Sequence, residues 1–82
     1  MDNVIIYSKK NCPSCVKAKQ LFVLKNQPYT EIILGEDIDI ETFKVQYPDQ
    51  KSVPLIIING KEVKGYEHLI EHYNSGPHLL QG

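Results

Sequence analysis

With 82 residues, 41% of them apolar, the chain holds enough hydrophobic side chains for the core of one small domain and too few for two. Nine basic against ten acidic residues leave a net charge of −1, so there is no polycationic face of the kind that holds nucleic acid or an anionic membrane surface. The apolar run in the opening M-D-N-V-I-I-Y-S-K-K is far too short for a signal-peptide core or a membrane span. The expectation is a cytoplasmic, monomeric protein, in whose compartment a thiol pair is normally kept reduced.

In chain order, Val4-Ile5-Ile6-Tyr7 is a continuous apolar run that predicts a strand buried on both faces. S-K-K-N follows, and then C-P-S-C, which contains the only two cysteines, Cys12 and Cys15. Pro13 suits the first position of a helix, where its missing N–H costs nothing, and this makes Cys12 the N-cap. Good helix formers continue to about Lys25, with Cys15, Ala18 and Phe22 on one face and Leu21 beside them, so Cys15 is expected to point toward the core. Pro28 is expected to end this region, and Tyr29-Thr30-Glu31-Ile32-Ile33-Leu34 predicts a second strand. Asp39 reads as the N-cap of a short helix whose apolar face is Ile40, Phe43 and Tyr47 and which must stop before Pro48.

Leu55-Ile56-Ile57-Ile58, the turn pair Asn59-Gly60, and Lys61-Glu62-Val63 predict an antiparallel hairpin. Beyond Gly65, the positions of Tyr66, Leu69, Ile70 and Tyr73 follow a helical period, predicting a last amphipathic helix to about Asn74, closed by Gly76-Pro77. The order β-α-β-α-β-β-α, with a right-handed parallel crossover first and a hairpin last, implies an α/β fold: a mixed four-stranded sheet flanked by three helices.

Taken together, V-I-I-Y, S-K-K-N, C-P-S-C opening a helix with Ala18-Lys19 in it, S-V-P before a strand, N-G in a hairpin and a Gly before the last helix resemble glutaredoxin, a thioredoxin-superfamily family. The resemblance covers roughly residues 3 to 74, and it divides the chain into a glutaredoxin-like domain at 1–76 and a short tail at 77–82. It implies a thioredoxin-like fold, glutathione-dependent reduction of protein disulfides or glutathione mixed disulfides, and a redox-active Cys12–Cys15 disulfide. It also implies a cis Val53–Pro54 bond lying against the C-P-S-C loop, with the Val53 backbone pairing with the cysteinyl part of glutathione. Carried over residue by residue, glutathione contacts fall on Lys9, on Lys51, Ser52, Val53 and Pro54, and on Gly65, Tyr66 and Glu67, with Pro13 and Ser14 completing the loop around the cysteines. Cationic side chains suit the tripeptide's carboxylates, and helix-terminal N–H groups with an acidic side chain suit its zwitterionic γ-glutamyl end.

The chemistry of the residues points the same way. An unperturbed cysteine, with a pKa of about 8.5, is only about 3% ionised at pH 7, so a thiol nucleophile needs local stabilisation of its thiolate. At a helix N-cap, Cys12 meets the unpaired N–H groups of the first turn and the positive end of the helix dipole, and Lys9 and Lys10 add charge nearby. Cys12 is therefore expected to be the exposed attacking thiolate and Cys15, one turn on and facing inward, the resolving thiol.

The chain departs from the family pattern in three places. Ser14 stands where tyrosine is most common, Lys64-Gly65 replaces a Gly-Gly pair, and Tyr66-Glu67-His68 follows where small and acidic residues are usual. A rival reading uses Cys12, Cys15, His68 and His72 as a tetrahedral zinc set, against which stand the long gap between the pairs and the inward turn of Cys15. An iron–sulfur cluster bridged through Cys12 and glutathione is disfavoured by the proline in the motif, and no metal is expected. Within the redox reading, the reductant is glutathione or a thioredoxin reductase, the latter as for glutaredoxin-like hydrogen donors of ribonucleotide reductase. The stretch E-V-K-G-Y-E-H-L lacks the aromatic and basic residues of such donors, which favours glutathione.

Overall fold

A computed structural model of the chain describes residues 2–74; the helix closure at Gly76-Pro77 and the tail at 77–82 lie outside the described residues. The elements are β1 (Val4–Ser8), α1 (Pro13–Leu24), β2 (Thr30–Ile33), α2 (Ile40–Gln46), β3 (Leu55–Ile58), β4 (Lys61–Val63) and α3 (Tyr66–Asn74), in the order expected from the sequence. They form one four-stranded sheet in the order β2-β1-β3-β4. β1 pairs parallel with β2 and antiparallel with β3, and β3 pairs antiparallel with β4. This is the thioredoxin-like architecture.

The period of two in β1 divides the core between the two faces of the sheet. Val4 and Ile6 join Ala18 and Phe22 of α1, Leu69 of α3, and Ile56, Ile58 and Val63 in the larger cluster. On the opposite face Tyr7 and Leu55 meet Phe43 of α2, with Ile5, Ile32 and Ile57 around them. A central strand flanked by helices on both faces has no solvent side, which is why it reads as an unbroken apolar run. Tyr7, Phe43 and Tyr47 form an aromatic triangle with ring centroids 5.2 to 5.4 Å apart, and it anchors α2 to the sheet. Burial, together with Tyr47 beside it, pushes the Tyr7 hydroxyl up to about 12, so this anchor stays uncharged at neutral pH.

Two local details differ from the sequence-based expectation, and a third, at Asp39, agrees with it in position. Helix α1 ends at Leu24, four residues before Pro28: Asn26 adopts a left-handed φ of 55°, and the Gln27 N–H donates to the Phe22 carbonyl at 2.8 Å. That six-to-one bond is a Schellman closure, and Asn is one of the few side chains that enters the left-handed region cheaply. Asp39 does occupy the N-cap of α2, but its side chain makes no capping hydrogen bond. Ile40, assigned above to the core face of α2, is 51% exposed, because only Phe43 reaches the sheet from the middle of so short a helix.

Ser8, at the carboxyl end of β1, is 1% exposed and donates its hydroxyl to Glu31 at 2.6 Å, while Lys19 Nζ reaches the same carboxylate oxygen at 2.7 Å. The Lys19 hydrogen bond first, and the Ser8 hydrogen bond second, hold the Glu31 carboxyl below its usual range. The cluster ties α1 to β1 and β2 just behind the cysteine loop. Because the folded-state pKa is depressed, its stabilisation is fully present above the unfolded value of 4.5 and is lost as pH falls through the folded value. Glu31→Gln is expected to cost about 1 kcal/mol at pH 7, discounted for partial solvent exposure, and to flatten the loss of stability on acidification. Denaturant unfolding at pH 7 and pH 3 checks both; equal pH dependence of variant and parent would contradict the assignment.

Candidate active site

The site is built where β1 hands over to α1. Asn11, in a left-handed conformation with φ 58°, turns the chain, and Cys12 follows in an extended conformation as the N-cap of α1. Pro13 opens the helix, as its lack of an N–H allows. Cys12 Sγ accepts the Cys15 N–H at 3.2 Å, so the sulfur occupies the place where a capping oxygen normally sits. The two cysteines form a disulfide with a Cα–Cα distance of 5.2 Å. Among the described residues there is no free cysteine, and no three His, Cys, Asp or Glu side chains converge as a metal set. His72 instead stacks edge-on against Tyr73 at 5.4 Å.

Cys15 is 1% exposed, consistent with its inward register on α1, but Cys12 is only 8% exposed and not open to solvent as expected. The cover comes from across the fold. The Val53–Pro54 bond is cis, Pro54 is buried, and the Val53 carbonyl oxygen lies 3.9 Å from Cys12 Sγ. The segment between α2 and β3 thus forms the wall facing the cysteine loop.

Two cavities flank that wall and share Ser52 and Val53. One, of about 440 Å³, is lined by Ser14, Lys17, Pro54, Lys64, Gly65, Tyr66, Glu67 and His68 as well. Gly65, at φ 111°, makes the turn into α3, and its carbonyl accepts the Leu69 N–H at 3.0 Å. Tyr66 lines the same cavity as Ser14 and carries Lys17 Nζ 6.0 Å above its ring. An aromatic ring from α3 thus lines the cavity that Ser14 also lines. The other cavity, of about 200 Å³, is lined by Lys9, Leu34, Ile40, Phe43, Lys44, Gln50 and Lys51 in addition to the shared wall.

The glutathione contacts carried over from the resemblance, Lys9, Lys51, Ser52, Val53, Pro54, Gly65, Tyr66 and Glu67, thus lie in the wall or one of these two cavities, and Ser14 lines the second. Lys10 alone of the cationic neighbours does not: it pairs with Glu36 at 3.2 Å and lines neither cavity. Sequence reasoning missed Lys44 and Gln50 on one side and Lys17 on the other; it placed Ile40 in the core and named Lys64 and His68 only as departures from the family pattern and, for His68, in the zinc alternative. For α2 the available signal was the i, i+4 spacing of Ile40 and Lys44, which puts them on one face beside Phe43. A wider groove of about 540 Å³, along Val16, Gln20, Val23 and Leu24 of α1, holds neither cysteine nor the cis-proline.

Comparison with known proteins agrees with this geometry. The glutaredoxin family model matches residues 4–63. The hybrid peroxiredoxin hyPrx5 of Haemophilus influenzae is 35% identical over 72 residues, covering 88% of this chain and 30% of that protein. Glutaredoxin-C6 of Oryza sativa is 32% identical over 76 residues, covering 89% of this chain and 68% of the rice protein. The chain therefore spans under a third of the Haemophilus protein and about two thirds of the rice one. The crystal structure of a buckwheat glutaredoxin–glutathione complex superposes with a TM-score of 0.79 at 28% identity, over 92% of this chain and 71% of the other. Fold, cysteine pair and sequence agree, and the chain belongs to the glutaredoxin family of thiol–disulfide oxidoreductases.

Proposed function

We propose that the chain reduces protein disulfides and glutathione mixed disulfides in the cytoplasm with glutathione as electron donor, Cys12 acting as nucleophile and Cys15 as resolving thiol. The observation that carries this reading is the placement of the cysteine pair at the N-cap of α1, facing the cis Val53–Pro54 wall between two cavities. In the reduced protein the Cys12 thiolate attacks one sulfur of the substrate disulfide; a mixed disulfide forms and the other substrate sulfur leaves as a thiolate, which takes up a proton. Cys15, deprotonated, then attacks Cys12, freeing the second substrate thiol and closing the Cys12–Cys15 disulfide. Two glutathione thiols return the pair to the dithiol and leave as oxidised glutathione, so two electrons and two protons pass to the substrate in each cycle.

The cavities suit the two ends of glutathione. Lys9 and Lys51 face the glycine carboxylate, Ser52 and Val53 run beside the cysteinyl residue, and Gly65, Tyr66 and Glu67 receive the γ-glutamyl group with its ammonium near Glu67. The relationship to a buckwheat protein crystallised with glutathione supports this choice of donor. A coupled assay on a glutathione mixed disulfide tests it: turnover is expected with glutathione and glutathione reductase, and turnover with thioredoxin reductase alone would transfer the protein to the other reductant.

A further inference from the structure

All nine basic residues are lysines, and five of them, Lys9, Lys17, Lys44, Lys51 and Lys64, line the two cavities beside Val53, against one carboxylate, Glu67. The chain as a whole carries a net charge of −1, so the linings of these two cavities are more positive than the chain around them. The segregation is sharpest in the smaller cavity, where Lys9, Lys44 and Lys51 surround an apolar floor and no carboxylate lines the wall. The ion pairs among the described residues are Lys10–Glu36, Lys19–Glu31 and Lys64–Glu62, and none of them involves these three lysines. One glycine carboxylate of glutathione does not need three cations. Lys44 comes from α2, whose Phe43 packs against Tyr7, and it adds a third cation to the two assigned above to the glycine carboxylate.

We propose that this cavity selects disulfide substrates with an acidic side chain at the first or second residue after the reacting cysteine, Lys44 being the specificity-determining residue. The inference rests on the orientation proposed above, in which the glycine end of glutathione points to Lys9 and Lys51. Val53 both faces Cys12 Sγ at 3.9 Å and lines this cavity, so a peptide cysteine held at Val53 sends its following residue among the lysines. The apolar floor of Leu34, Ile40 and Phe43 takes the methylene stem of that residue and lowers the local dielectric, which strengthens the ion pairing.

The test uses pre-reduced protein and no glutathione. Matched short peptides carrying Cys-Asp, Cys-Gln or Cys-Lys are linked through their cysteine to 2-nitro-5-thiobenzoate. Attack of the Cys12 thiolate on the peptide sulfur expels the coloured thiolate, whose release is timed. Each rate is divided by that with the uncharged thiol β-mercaptoethanol, to remove the intrinsic reactivity of the peptide. The Cys-Asp peptide is expected to react about tenfold faster than Cys-Lys at low ionic strength, with the ratio shrinking as salt is added. Lys44→Glu is expected to bring the ratio to one or below, and Lys61→Gln, on the hairpin away from both cavities, to leave it in place. A parent ratio within twofold of one, or a ratio indifferent to Lys44→Glu, overturns the proposal. Failure of glutathione-driven turnover with the acidic preference intact overturns only the choice of donor, so the two readings fail separately.

Discussion

Cys12→Ser is expected to reduce glutathione-driven turnover to the uncatalysed background, a loss on the order of 10³-fold or more. Thiol–disulfide exchange proceeds only from a thiolate, and a serine hydroxyl at the same N-cap neither ionises near neutral pH nor forms a bond that glutathione can later break. Cys15→Ser is expected to behave differently. Reduction of a glutathione mixed disulfide requires only that Cys12 take up the glutathionyl group and that a second glutathione remove it, so this activity persists. Reduction of a protein disulfide through the Cys12–Cys15 pair is lost, because nothing resolves the mixed disulfide within the molecule. The split is measured by running the two assays side by side on each variant. Equal loss in both assays for Cys15→Ser would assign Cys15 a part in the first attack, contrary to its 1% exposure.

Phe22→Ala carries the largest expected effect on stability. Phe22 is fully buried, belongs to the larger core cluster and packs on Tyr29 with ring centroids 5.4 Å apart. Truncating a buried aromatic costs about 3–5 kcal/mol through lost transfer energy and the cavity left behind. A small domain has about 5–15 kcal/mol in total, so the variant should melt at least about 10 °C below the parent and unfold partly at physiological temperature. Val23→Ala is the matched control. Its side chain is the next in sequence on the same helix but 66% exposed, and its replacement is expected to change stability by less than about 0.5 kcal/mol. Thermal unfolding followed by circular dichroism measures both; comparable losses would mean that α1 is not seated on the sheet by the Cys15, Ala18 and Phe22 face.

Most of the fold was legible because its signals are local or periodic. The β-branched run at Val4, the Pro13 helix start and the Asn59-Gly60 turn each depend on neighbours within a few residues; Asn59 and Gly60 take the left-handed φ values of 52° and 83° that their identities favour. What the pattern does not specify has a shared cause. Pro28 is a strong helix breaker, yet the Schellman turn at Asn26 ends α1 before it. Asp39 caps α2 by position, as its sequence context implies, but a capping bond depends on a side-chain rotamer that no pattern specifies. Ile40 falls on the apolar face of α2 but outside the core, because helical periodicity marks a face without saying how far along it the sheet extends.

The candidate site divides along the same line. The spacing of Cys12, Pro13 and Cys15 already dictates that one sulfur caps the helix while the other, a turn later, faces inward, because helix geometry relates residues three apart without help from the rest of the chain. Which charges surround that sulfur depends on contacts between residues far apart in sequence. Lys10, adjacent to Lys9, is drawn away to Glu36, whereas Lys44, more than thirty residues from Cys12, lines the cavity next to it. The covering of Cys12 by the Val53 carbonyl is likewise set by how the segment after α2 crosses the sheet. Local chemistry chooses the conformation of each segment, but the distances between segments follow from burying two apolar faces of one sheet at once, and those distances place the electrostatics of the site.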